Sequence, residues 1–145
     1  MTTGHSNVSG LDAAYRATAY IAELEHGDIA IRVDQPSAAL DQWLQARGCR
    51  DWAFVSAANP GSQPLPQAGN VERHAQLVAA VERLGLSWRP GRGVPDHPGW
   101  QPEPSLLILD IASEEALRLA AGFGQNAIVA GSIGGPATLY YVHGN

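Results

Sequence analysis

A chain of 145 residues, 45% hydrophobic and 16% charged, can bury about 70% of its unfolded surface as one domain, without disulfide or metal staples. That composition excludes disorder of the whole chain. The net charge of −5, with all nine basic residues Arg and no Lys, argues against sequence-independent nucleic-acid binding, which needs clustered positive charge.

Residues 1–12 are polar and rich in Gly, Ser and Thr, which predicts a flexible tail ahead of one domain over residues 13–145. No basic segment followed by an apolar run occurs there, so no signal peptide is expected. Thr18, Tyr20, Ala22 and Leu24 alternate as in a strand, residues 25–28 read as a turn, and residues 28–33 as the returning strand of a hairpin. Ser37 offers a helix cap, with Leu40, Trp43 and Leu44 at helical spacing and Gly48 as the stop. Cys49 is the single cysteine, so no internal disulfide can form and a reducing compartment, the cytoplasm, fits.

Residues 52–58 form a mostly apolar strand. Residues 59–69 read as an irregular segment, after which Asn70 is expected to cap a helix whose apolar face carries His74, Leu77, Val78, Val81 and Leu84. A short strand at residues 86–89 is expected to give way to a second irregular region, residues 90–104, dense in Pro and Gly. Residues 105–111 are the clearest strand, and their apolar run is far short of the ~20 residues a membrane helix needs. Ser113, read as a cap with Glu114 and Glu115 behind it, starts a helix running to about Phe123. Residues 127–130 and 138–142 read as two final strands. The sum is an α/β (or α+β) single domain, a mixed β-sheet with three packed helices.

Three segments together carry a likeness: Trp52-Ala53-Phe54-Val55-Ser56-Ala57-Ala58-Asn59-Pro60 continuing to Asn70-Val71-Glu72-Arg73, then Pro102-Glu103-Pro104-Ser105, then Phe123-Gly124-Gln125-Asn126-Ala127. Their order and spacing resemble the bacterial domain-of-unknown-function family numbered 3293. The resemblance implies a small bacterial cytosolic protein and supplies no catalytic assignment. This chain departs from the pattern at Ala58, where a bulkier residue, often Trp, is expected.

The candidate ligand-binding constellation is Asn59, Ser62, Asn70 and Arg73, joined by Glu103, Gln125 and Asn126. Asn59 ends a central strand, where open α/β sheets bind ligands. Asn70 and Arg73 lie three apart at a helix start, where an Arg beside unpaired amides can hold a carboxylate or phosphate. A small anionic or polar ligand is therefore the expected partner. The structural alternative has Asn70 capping its helix and Arg73 tying down the loop.

Histidines His5, His26, His74, His97 and His143 show no metal-ligand spacing, so no metal is expected. His97 beside Asp96 is a weak general-base pair, and Trp100 could cover a pocket. Gly91-Arg92-Gly93 and residues 131–135 lack the Gly-x-x-x-x-Gly-Lys phosphate loop, and no cofactor is expected. Two functions stand: a small-molecule-binding or enzyme-like domain with the Asn59/Arg73 site, or a non-catalytic interaction module in which the same cluster is structural. No reaction follows from the sequence.

Overall fold

The computed structural model describes residues 3–96 and 101–142. Seven strands form one sheet in the order β2-β1-β4-β5-β3-β6-β7. They are β1 (Ala19–Leu24), β2 (Gly27–Ile31), β3 (Asp51–Ser56), β4 (Trp88–Val94), β5 (Glu103–Leu109), β6 (Ala127–Ser132) and β7 (Thr138–Tyr141). Four helices accompany them: α1 (Thr3–Ala17), α2 (Ala38–Ala46), α3 (Gln67–Arg83) and α4 (Ser113–Gly122).

The two apolar strands expected to share a sheet are direct neighbours, with Trp52 opposite Leu109 and Ser56 opposite Ser105. Alternation along them sorts the core into two faces. Trp52, Phe54, Leu107 and Leu109 pack with Leu40, Trp43 and Leu44 of α2. Ala53, Val55, Leu106 and Ile108 pack with Leu77 and Val81 of α3 and with Ala116 and Ala120 of α4. Burial on both faces explains why these strands read as continuous apolar runs.

Several expectations need correction. Every ladder of the sheet is antiparallel, so the sheet is not mixed. The one parallel contact is an isolated bridge from Val33, beyond β2, to Ala137, before β7. It brings the two edges together and curls the sheet towards the face that holds α2.

Four helices replace the expected three, because residues 3–17, read as a tail through residue 12, form α1. Its last turns are helix-tolerant Ala13, Ala14, Tyr15, Arg16 and Ala17, with an Arg16–Asp12 ion pair of 2.8 Å one turn apart.

Residues 90–94 are not loop but the end of β4. Pro90 precedes the residues that pair with β1, so only one flank of the strand is laddered there. Gly91 is required by packing: a Cβ there would stand 2.6 Å from the Phe54 ring and 2.8 Å from the Ile21 carbonyl. The Phe54 ring fills the space that Gly91 leaves, and Tyr20, beside Gly93, packs edge-on to it at 5.6 Å.

Ser37 does cap α2, its Oγ accepting the Leu40 N–H at 3.1 Å. Ser113 is the first residue of α4 rather than its cap, which is Ala112. His97, Trp100 and His143, with the side chain of His5, lie outside the described residues.

Candidate functional site

β3 leaves the sheet at Ser56, and Ala57 and Ala58 stay buried as the chain turns. Asn59 then adopts a left-handed conformation (φ 48°, ψ 62°), which Asn tolerates better than other non-glycine residues. Its side chain organises the following loop. Oδ1 accepts the Leu65 N–H at 2.9 Å and the Asn70 Nδ2 at 2.8 Å, while Nδ2 donates to Glu103 Oε2 at 2.8 Å. Its backbone N–H donates to Asn70 Oδ1 at 2.9 Å.

Asn70 is therefore not the cap of α3, which begins at Gln67 behind Pro66. Its carboxamide is engaged sideways by Asn59, and its own N–H already bonds the Pro66 carbonyl at 3.1 Å in the first turn. Arg73 donates through Nε to the Ala57 carbonyl at 2.6 Å and through Nη2 to the Phe123 carbonyl. Gln125 donates to the Ala58 carbonyl at 3.0 Å, and Asn126 to Ser62 Oγ at 2.8 Å. Gly61 N–H reaches the Gly124 carbonyl at 2.7 Å, which closes the loop against the end of α4.

The predicted residues thus gather in one region: Asn59, Asn70 and Glu103 bond one another, Asn126 bonds Ser62, and Arg73 and Gln125 bond the Ala57, Ala58 and Phe123 carbonyls. The cluster binds the loop after β3 to α3, β5 and the α4–β6 connection. The guanidinium expected to hold an anion is committed to carbonyls. At the centre stands a carboxyl, Glu103, whose burial pushes its pKa up against the lowering effect of the Asn59 bond. The strand-end argument also lapses, since the C-terminal-edge rule belongs to parallel sheets.

Sequence reasoning missed Tyr15, whose hydroxyl neighbours Ser62, Asn126 and Glu103. Burial raises its pKa, while the Ser62 and Asn126 hydrogen bonds act the other way. Tyr20 Oη donates to the Tyr15 carbonyl at 3.1 Å, and Tyr141 Oη to Asp12 Oδ1 at 2.7 Å, so α1 is tied to the sheet beside the cluster. Spacing along the chain does not reveal this meeting, because Ser62, Glu103 and Asn126 are all distant from Tyr15 in sequence. His74 Nδ1 is inaccessible and has no partner among the described residues, and burial lowers the pKa of its ring.

At the far end of β5, about 20 Å from Glu103 at ~3.3 Å per residue, a cleft of about 330 Å³ opens between the end of α2, the α3–β4 turn and the start of β4. Arg47, Cys49, Ser87, Arg89 and Asp110 are among its lining residues. Cys49 is buried and its thiol pKa is raised, first by that burial and then by the charge of Asp110, which disfavours a thiolate nucleophile.

Arg47 and Arg89 converge on Glu25 of the β1–β2 turn, at 2.9 Å and 3.0 Å from its Oε2. The Trp43 indole N–H meets Oε1 at 3.3 Å. The guanidinium carbons stand 4.0 Å (Arg47) and 5.4 Å (Arg89) from the centre of the Trp43 ring. A hydrogen bond from its own backbone, followed by Arg89 and Arg47, holds the Glu25 carboxyl down to about 2.

Among the described residues, no three His, Cys, Asp or Glu side chains gather as metal ligands would, and no helix is long and apolar enough to cross a membrane. A family model described as "Protein of unknown function (DUF3293)" matches residues 55–128, a span that contains all seven predicted residues and Arg89 but not Glu25, Trp43 or Arg47. No curated protein and no solved structure matches the chain.

Proposed function

For a chain that belongs to this family of unknown function, DUF3293, we propose a small-molecule-binding role in which the Arg47–Arg89 cleft, and not the Asn59 cluster, receives the ligand. The observation that carries it is the coincidence of a half-open cleft of about 330 Å³ with two partly exposed guanidiniums that already hold a carboxylate. Guanidiniums recognise planar anions through paired N–H donors, so the ligand is a small anion. No nucleophile and base stand together there, and we assign no reaction. The Asn59 cluster serves as a latch: its donors and acceptors satisfy one another, which supports the structural reading of those residues. A cytoplasmic setting agrees with the free, buried Cys49.

A second reading keeps a polar ligand at the Asn59 cluster. It is favoured by the Tyr15 hydroxyl, which meets Ser62 and Asn126 and feels the charge of the half-buried Glu103 carboxyl.

Thermal denaturation with phosphate, malate and aspartate tests the first reading. A ligand at a hundred times its Kd stabilises by about 2.7 kcal/mol. That corresponds to roughly 9 °C for a chain of this length. The rise should vanish in Arg89→Ala and persist in Ser62→Ala. A rise that survives Arg89→Ala and is lost in Ser62→Ala would move the site to the cluster. If no anion raises the melting temperature, the binding role is wrong.

A further inference from the structure

The donors around Glu25 are built into the fold, and the acceptor is not. Trp43 is a core residue of α2. Arg47 follows on the same helix end, its Nη1 turned back to the Trp43 carbonyl at 3.4 Å. Arg89 lies in β4, its Nη1 on the Trp88 carbonyl at 3.0 Å. Glu25, in contrast, belongs to the exposed two-residue turn of the β1–β2 hairpin, outside both strands.

Both guanidiniums stand close to the Trp43 ring, and like charges held near one another are relieved by an anion between them. In this structure a carboxylate takes that place, with the indole N–H on one oxygen and both arginines on the other. The same two arginines line the cleft together with Ser87 and Asp110. A ligand with its carboxylate among the arginines would share the cleft with these two acceptors, which suits a hydroxyl or an ammonium.

We infer that the cleft receives a small hydroxy- or amino-carboxylic acid, and that Glu25 occupies the carboxylate position in its absence as a competitor supplied by the hairpin turn. This rests on the proposed role of the cleft and adds the ligand class and its regulation. The chain would then respond to ligand by freeing the turn, since one arginine pair cannot serve both carboxylates fully.

Calorimetric titration of the full chain with malate, aspartate and inorganic phosphate, in the native protein, Glu25→Ala, Glu25→Gln and Arg89→Ala, tests the inference. Removing a competitor that holds the site nine-tenths of the time raises apparent affinity about tenfold. Malate or aspartate should therefore bind about tenfold more tightly to both Glu25 variants and not to Arg89→Ala. Because Glu25 lies on an exposed turn, both variants should fold, and Glu25→Gln preserves the side-chain shape. Unchanged or weakened affinity in the Glu25 variants, with binding still dependent on Arg89, overturns the competitor and leaves the cleft standing. Binding of phosphate without the carboxylates overturns the ligand class. Absence of binding in every variant overturns both the cleft and the inference.

Discussion

Replacing Asn59 with Gly isolates the latch. Glycine adopts φ near 48° without penalty, so the substitution removes the side chain while keeping the turn available. Three hydrogen bonds are lost: those to Leu65 N–H, to Asn70 Nδ2 and to Glu103 Oε2. At about 1 kcal/mol net for each bond, the loss is about 3 kcal/mol. The extra freedom of glycine in the unfolded chain and the relief of a left-handed non-glycine residue oppose each other at roughly 1 kcal/mol apiece.

Unfolding entropy for 145 residues is about 0.3 kcal/mol per kelvin, so the melting temperature should fall by about 10 °C. Circular dichroism on heating, with urea unfolding to check that the m-value is unchanged, measures it. A fall of less than about 3 °C would refute the latch, because three engaged bonds cannot be removed that cheaply. The companion Asn59→Asp keeps both acceptor bonds but sets a second carboxyl against Glu103. Its cost should be larger at pH 7, where both carboxyls tend to ionise, than at pH 4, where a shared proton can bridge them.

Glu103 has a pKa raised above its ordinary 4.5, so the stability its neutral form contributes is full below that value and fades as pH rises through the folded pKa. Glu103→Gln should flatten that fall, and its melting temperature relative to the native chain should be higher at pH 7 than at pH 4. Gly91→Ala forces a methyl group against the Phe54 ring and the Ile21 carbonyl, an overpacking cost of about 2 kcal/mol. Adding Phe54→Leu should recover part of it, read as coupling of about 1 kcal/mol in a double-mutant cycle of urea midpoints. Cys49, buried and held as a thiol, should react with iodoacetamide at pH 8 on the order of a hundredfold more slowly in the native chain than in urea, followed by mass spectrometry. Equal rates would show that the α2 end opens freely.

Much of the sheet was legible because burial on both faces writes itself as an apolar run. The runs 52–58 and 105–111 needed no long-range information to be recognised, although the strands occupy 51–56 and 103–109, and Ser37 declared α2 through a local bond. β4 was not legible. Trp-Arg-Pro-Gly-Arg-Gly-Val carries the residues of a loop, and it is a strand only because Phe54 and Tyr20, far away in the chain, fill the space above its glycines.

The Asn59 cluster could be assembled from sequence, but its purpose could not. Asn70 resembles a cap until its carboxamide is seen to face Asn59, and the sequence left Arg73 either an anion holder or a loop tie, which the Ala57 and Phe123 carbonyls decide for the tie. The meeting of Glu25, Trp43, Arg47 and Arg89 left no trace at all, because a turn, a helix end and a strand start share no spacing.

The bridge between Val33 and Ala137 joins parts of the chain more than two-thirds of its length apart, with Asp34 N–H on the Ala137 carbonyl at 2.7 Å. Closing so large a loop is slow, because its entropy is lost before the contact forms. During synthesis, β1 and β2 must wait for the last strand to emerge from the ribosome before their side of the barrel-like curl can seal. Until then, the concave face with Trp52 and Phe54 stays open to chaperones and to other nascent chains.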